Sequence, residues 1–145
     1  LEYSGKRYSY VDDYAHHPDE IRATLSAARD MFPGKHITAV FQPHLYSRTR
    51  DLADGFASAL SGFDSVLLLP IYAAREAPLP GVSSEMIIRR MPEAVWKAMV
   101  TPPTLMDTLR GMPTEVLITL GAGDIGELSS SIAGDLERWE DNDGK

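Results

Sequence analysis

Three stretches of this chain bring together residue types that can hold anions or move protons. The first is Asp12-Asp13-Tyr14-Ala15-His16-His17-Pro18. Two carboxylates close an alternating stretch, and two imidazoles precede a proline suited to a first helical position. Carboxylates at a strand end can accept hydrogen bonds from a ribose diol. An imidazole at a helix start can bind an anion or carry a proton. Ordinary turn chemistry, with Asp and His as caps, uses the same residues, and spacing alone leaves both readings open. Adjacent imidazoles rarely reach one ion and no third ligand is evident, so no metal site is assigned.

The second stretch is Gln42-Pro43-His44-Leu45-Tyr46-Ser47-Arg48-Thr49-Arg50. Residues 35–50 hold Lys35, Arg48 and Arg50 and no acid, in a chain of net charge −7. A basic loop beyond a strand suits a phosphate or carboxylate ligand, although two arginines also suit a solvated helix start. The third stretch, Gly121-Ala122-Gly123-Asp124-Ile125-Gly126, matches Gly-x-Gly-x-x-Gly. A dinucleotide fingerprint requires a further strand ending in an acid about 20 residues on. Here only 19 residues follow Gly126, and they read as a helix and an acidic tail. These glycines therefore predict a tight turn and close helix packing, with Asp124 as a cap; an amide cradle for phosphate is the lesser reading.

The absences narrow the chemistry. There is no Gly-x-x-x-x-Gly-Lys-Ser/Thr loop and no Gly-x-Ser-x-Gly elbow. The chain has no Cys, so thiol catalysis and thiolate metal sites are excluded. An acidic chain disfavours general nucleic-acid binding. No apolar run approaches the roughly 20 residues needed to span a bilayer. The 145 residues are one domain's worth, and they open on Leu1 rather than Met, so a piece of a longer protein is expected.

The elements that position these stretches follow from periodicity. Residues 1–4 pair back on 8–12 across the Ser4-Gly5-Lys6-Arg7 turn. Ile21, Leu25, Ala28 and Phe32 mark a helix, ended by Pro33-Gly34. Strands are expected at 36–42, 65–72, 94–101 and 115–120. Helices are expected around Leu52–Phe63, from a Ser83-Ser84 cap to Arg90, after Thr101-Pro102-Pro103, and through Ile125, Leu128, Ile132 and Leu136. The tail 135–145 holds five acids against two bases and should fray. Strand and helix alternate about five times, which predicts an α/β fold. It has three layers: a mostly parallel sheet of about six strands with helices on both faces. Ligands bind such sheets beyond the carboxyl ends of the strands, where the polar loops fall.

Four motifs in series carry a resemblance: Asp-Asp-Tyr-Ala-His-His-Pro (12–18), Phe-Gln-Pro-His-Leu-Tyr-Ser-Arg-Thr (41–49), Pro-Ile-Tyr-Ala-Ala-Arg-Glu-Ala-Pro (70–78) and Gly-Ala-Gly-Asp-Ile (121–125). Together they resemble the C-terminal domain of the Mur ligases over residues 1–138, with 139–145 as a frayed acidic tail. The likeness is nearest to members that join L-alanine to UDP-N-acetylmuramate. A related murein-peptide recycling ligase shares the first motif but departs from the second. A stand-alone nucleotide- or phosphosugar-binding module is the reading from another class.

The resemblance implies a Rossmann-like third domain of a cytoplasmic, ATP-dependent amide ligase of peptidoglycan synthesis. ATP phosphorylates the muramoyl carboxylate, the amine of L-alanine attacks the acyl phosphate, and phosphate leaves. The P-loop and Mg2+ ligands are expected in a central domain, so this chain alone should be inactive. By the same resemblance Asp13 and His44 would bind the nucleotide. Tyr14, His16 and Arg48 would face substrate or developing phosphate charge, with His16 and Arg48 catalytic. Leu45 stands where many relatives carry Arg, and Arg75 where they tend to carry Gly. The site's cation is then Arg48, helped by Arg50.

Overall fold

A computed structural model describes residues 1–143 of the chain. The elements in chain order are β1 (Tyr3–Ser4), β2 (Ser9–Asp13), α1 (Pro18–Met31), β3 (Ile37–Phe41), α2 (Tyr46–Leu60), β4 (Ser65–Leu68), α3 (Glu85–Arg89), β5 (Trp96–Met99), α4 (Pro102–Arg110), β6 (Val116–Leu120) and α5 (Ser129–Asp143). One six-stranded sheet runs β1-β2-β6-β3-β4-β5. Only β1 is antiparallel. The expected three-layer α/β fold is therefore observed.

Strand alternation divides the core between the two faces. Ile37, Ala39, Phe41, Val66, Leu68, Val116, Ile118 and Leu120 pack with Ile21 and Ala28 of α1, Phe56 and Leu60 of α2 and Ile87 of α3. Tyr10, Val40, Leu67 and Leu117 pack on the other face with Leu105 and Leu109 of α4 and Ile132 and Leu136 of α5. Central strands covered on both sides read as unbroken apolar runs, and every residue of β3, β4 and β6 is buried.

Helix starts follow local chemistry in two cases. Pro18 opens α1, and Glu20 Oε1 accepts from the backbone N–H of His17 at 3.1 Å and of His16 at 3.2 Å. At α4, Pro102 follows Thr101, whose N–H donates to Thr104 Oγ1 at 2.9 Å. Two expected caps are not caps. Ser84 Oγ instead donates to Leu69 O at 2.6 Å, pinning the loop before α3 to the end of β4. Asp124 is exposed and makes no capping bond among the described residues. It opens a short 3-10 turn (Asp124–Leu128) that precedes α5 and carries Ile125 and Leu128, so those residues lie outside the final α-helix.

The largest departure from the sequence reading is at the C-terminus. Residues 135–143, expected as part of a frayed tail, are helical and belong to α5. The Glu140 carboxylate accepts from the N–H groups of Tyr8 (2.7 Å), Arg7 (2.9 Å) and Lys6 (3.1 Å) and from Tyr3 Oη (2.8 Å). Trp139 meets Tyr8 edge-on at 5.9 Å and lies under the Arg110 guanidinium at 4.9 Å. An acid-rich sequence looked solvated because its partners are at the other end of the chain. Residues 144–145 of the expected tail lie outside the described residues.

Candidate active site at the carboxyl edge of the sheet

Register sets the floor of the site. Asp13 pairs with Leu120, Leu120 with Phe41, and Phe41 with Leu68. The next residues, Tyr14, Gly121, Gln42 and Leu69, thus leave the sheet at one level. The polar loops singled out in the sequence converge here.

Gln42 is the buried tie between these loops. Its Oε1 accepts from the Ile125 N–H at 2.9 Å, and its backbone N–H donates to Leu120 O at 3.0 Å. The glycines of 121–126 permit this approach. A Cβ at Gly121, where φ is +143°, would stand 2.8 Å from Gln42 O. A Cβ at Gly123 would stand 2.6 Å from both Gln42 Oε1 and Tyr72 Cβ. The motif is a packing device, as its missing second strand and acid implied.

Tyr14, His16, His44 and Arg48 come together. The His16 ring lies edge-on to Tyr14 at 5.5 Å and to His44 at 6.5 Å between centroids. His16 Nδ1 lies 3.0 Å from Tyr14 O. Tyr14 is 71% exposed. Arg48 Nη1 lies 3.5 Å from His44 Nδ1 and donates toward it. No carboxylate lies within 4 Å of Arg48 among the described residues. Burial, then the Arg48 guanidinium and His16, push the His44 imidazole below its ordinary value against a smaller opposite pull from Glu76, which favours the neutral ring. His17, Leu45, Ser47, Arg48, Asp51 and Leu52 line a groove of about 430 Å³. A guanidinium on such a groove, with no carboxylate within 4 Å among the described residues, can receive a planar oxyanion.

Asp13 is not part of this group. Its Oδ1 accepts from Ala15 N at 2.8 Å and its Oδ2 from Thr24 Oγ1 at 3.1 Å. It lines a separate cleft of about 160 Å³ beneath α1, beside Val11, Ala28 and Ile118. Asp12 points to the other face and accepts from Thr119 Oγ1 at 2.7 Å. The basic stretch of 35–50 is also not one patch. Lys35 lies before β3, at the opposite edge, and pairs with Glu115 at 3.4 Å. Arg50 pairs with Asp51 at 2.9 Å. Of the three, Arg48 is the one that contacts His44, while Arg50 acts on the cluster by its charge near Glu76.

Two residues of the site gave no individual signal in the sequence. Tyr72 stacks on His44 at 5.6 Å with a 16° interplanar angle, and it exchanges backbone bonds of 2.8 Å with Pro43 and Leu45. Glu76 accepts from Ser47 at the start of α2. Both lie in the 70–78 motif, which marked the segment without assigning their contacts. Leu45 has φ 69° and ψ 137°, a region favouring glycine that costs a side-chain-bearing residue about 1–3 kcal/mol. Its N–H donates to Tyr72 O at 2.8 Å and its C=O accepts from Thr49 Oγ1 at 2.8 Å, and these bonds hold it there.

A mostly parallel sheet whose carboxyl-edge loops gather two imidazoles and an arginine is the architecture of an α/β domain of the kind that carries ligand sites at that edge, and comparison with known proteins gives its family. The family model "Mur ligase, glutamate ligase domain" matches residues 1–131, and the chain belongs to that family. A UDP-N-acetylmuramate–L-alanine ligase from Flavobacterium johnsoniae is 49% identical over 85% of this chain and 27% of its own. One from Porphyromonas gingivalis strain W83 is 50% identical over 85% of this chain and 27% of its own. The crystal structure of UDP-N-acetylmuramate–alanine ligase from Thermotoga maritima superposes with a TM-score of 0.71 at 28% identity, over 97% of this chain and 29% of that one. A crystallised domain from a Haemophilus ducreyi protein shares the fold at 21% identity, with a TM-score of 0.64 over 92% of its length. This chain spans about a quarter to a third of the length of the curated relatives it matches.

Proposed function

We propose that this domain closes over the reaction site of a cytoplasmic ligase that joins L-alanine to UDP-N-acetylmuramate with ATP. The observation that carries the reading is Arg48, which extends from the start of α2 beside His44 and has no carboxylate within 4 Å among the described residues. In such a ligation ATP phosphorylates the muramoyl carboxylate. The amine of L-alanine then forms a C–N bond as the acyl C–O bond breaks. The amine gives up a proton, and phosphate leaves with the bonding electrons. Negative charge grows on the departing phosphate, and a guanidinium aimed there lowers the barrier.

His16 and His44 stand beside Arg48, and a ring nitrogen of either suits orienting an amine or phosphate brought to the guanidinium, with the exposed ring of Tyr14 next to His16. Asp13 can still take a ribose hydroxyl on its remaining lone pairs, from the 160 Å³ cleft rather than from the groove of Arg48. Among the described residues no group of three His, Asp or Glu could hold a metal ion. On this reading the ligands for the Mg2+ that accompanies ATP belong to other domains of the enzyme. Closure of this domain excludes water, which would otherwise hydrolyse the acyl phosphate.

A chimera tests the reading. Residues 1–131 replace the matching segment of the Flavobacterium johnsoniae ligase, and phosphate release is followed with ATP, UDP-N-acetylmuramate and L-alanine. Alanine-dependent release is expected from the chimera and none from the 145-residue chain. A folded chimera that is inert, or that prefers a peptide to alanine, would overturn the proposal.

A further inference from the structure

We infer that Glu76 is a positioning residue of this site: it caps α2 from outside the helix, through Ser47, and so fixes the turn that carries Arg48. The inference rests on the ligase reading above. The start of α2 lacks the usual local chemistry. Its capping position is Leu45, which has no polar side chain, and its first turn holds no acid. The first N–H groups of a helix need acceptors, and its positive end favours a carboxylate. Glu76, 29 residues further on, supplies both. One carboxylate oxygen accepts from the Ser47 N–H at 2.9 Å and the other from Ser47 Oγ at 2.5 Å.

The same segment is fastened to the site at a second point. Tyr72 bonds the backbone of Pro43 and Leu45 and stacks on His44. Residues 72–76 therefore hold both His44 and the neighbour of Arg48. With both Glu76 oxygens engaged by Ser47, the guanidinium of Arg48 stays open to a substrate anion. A displacement of about 1 Å at such a group can cost a hundredfold in rate.

The test uses the intact ligase that carries this domain. Glu76→Ala should lower kcat about ten- to hundredfold with little change in KM for UDP-N-acetylmuramate. Glu76→Gln, whose amide oxygen can still accept from the Ser47 N–H, should restore most of the rate. Ser47→Ala should fall between them. The double variant Glu76→Ala/Arg48→Ala should be no slower than Arg48→Ala alone, because the two act through one group. Full turnover by Glu76→Ala, or additive losses in the double variant, would overturn the positioning role. If Glu76→Ala does not fold, equal losses of rate and Tm in Glu76→Gln and Ser47→Ala would do the same. Full turnover by Arg48→Ala would instead overturn the ligase-site reading itself, which separates the two failures.

Discussion

The side chain of Gln42 accepts a hydrogen bond from the backbone N–H of Ile125, joining the end of β3 to the turn after β6 at 2.9 Å. Both residues are buried, so neither group has water as a substitute partner. Gln42→Ala should leave the Ile125 N–H unsatisfied and destabilise the domain by about 1–3 kcal/mol. Urea unfolding of the 145-residue chain measures this directly. A loss below about 0.5 kcal/mol would mean that the tie carries no stability.

The bond between the two ends of the chain is pH-dependent. Burial pushes the Glu140 carboxyl up, but the N–H groups of Tyr8, Arg7 and Lys6 and the Tyr3 hydroxyl outweigh it, and the folded value lies below the ordinary glutamate range. Burial and Glu140 push the Tyr3 hydroxyl up to about 12, so Tyr3 remains a donor across neutral pH. A depressed folded value stabilises fully above the unfolded value of about 4.3 and loses that stability as pH falls through the folded value. Glu140→Gln should therefore differ most from the wild type at neutral pH and converge with it in acid. Unfolding midpoints across the acid range check this; a pH-independent difference would contradict it.

His44 should report its surroundings by titration. Burial first, then Arg48 and His16, favour the neutral ring. Its imidazole resonances should titrate below the ordinary histidine value of about 6.5. Arg48→Ala removes one of the opposing charges and should move the midpoint upward. A midpoint that ignores Arg48 would place the guanidinium elsewhere in solution.

Elements that depend on neighbours in sequence were legible from it. The runs at 37–41, 65–68 and 116–120 are apolar because helices cover both faces, and that composition is visible without coordinates. Arg48 was legible as a cation standing against the charge of the chain. Gln42, Tyr72 and Glu76 were not, because their roles come from partners brought close by register: Ile125 is 83 residues from Gln42, and Ser47 is 29 from Glu76. Lys35 misled for the converse reason. It is close to Arg48 in sequence and at the opposite edge of the sheet in space. Glu140 misled because charge predicts solvation only where no fixed partner waits, and the turn of the first hairpin offers it three N–H groups.

The decisive substitution is Arg48→Ala. Arg48 is half-buried, and its one polar side-chain contact among the described residues is His44, at the 3.5 Å limit of a hydrogen bond. Loss of a surface arginine without an ion pair changes folding stability by no more than about 0.5 kcal/mol. Loss of a guanidinium that stabilises growing phosphate charge costs about a hundredfold or more in turnover. The two effects are therefore expected to separate: an unfolding midpoint near the wild type, and a large fall in alanine-dependent phosphate release by the intact ligase. Arg48→Lys should recover only part of the rate, since an ammonium keeps the charge but not the planar two-point grip on an oxyanion. Parallel losses of stability and rate in Arg48→Ala would make Arg48 a structural residue of the α2 start.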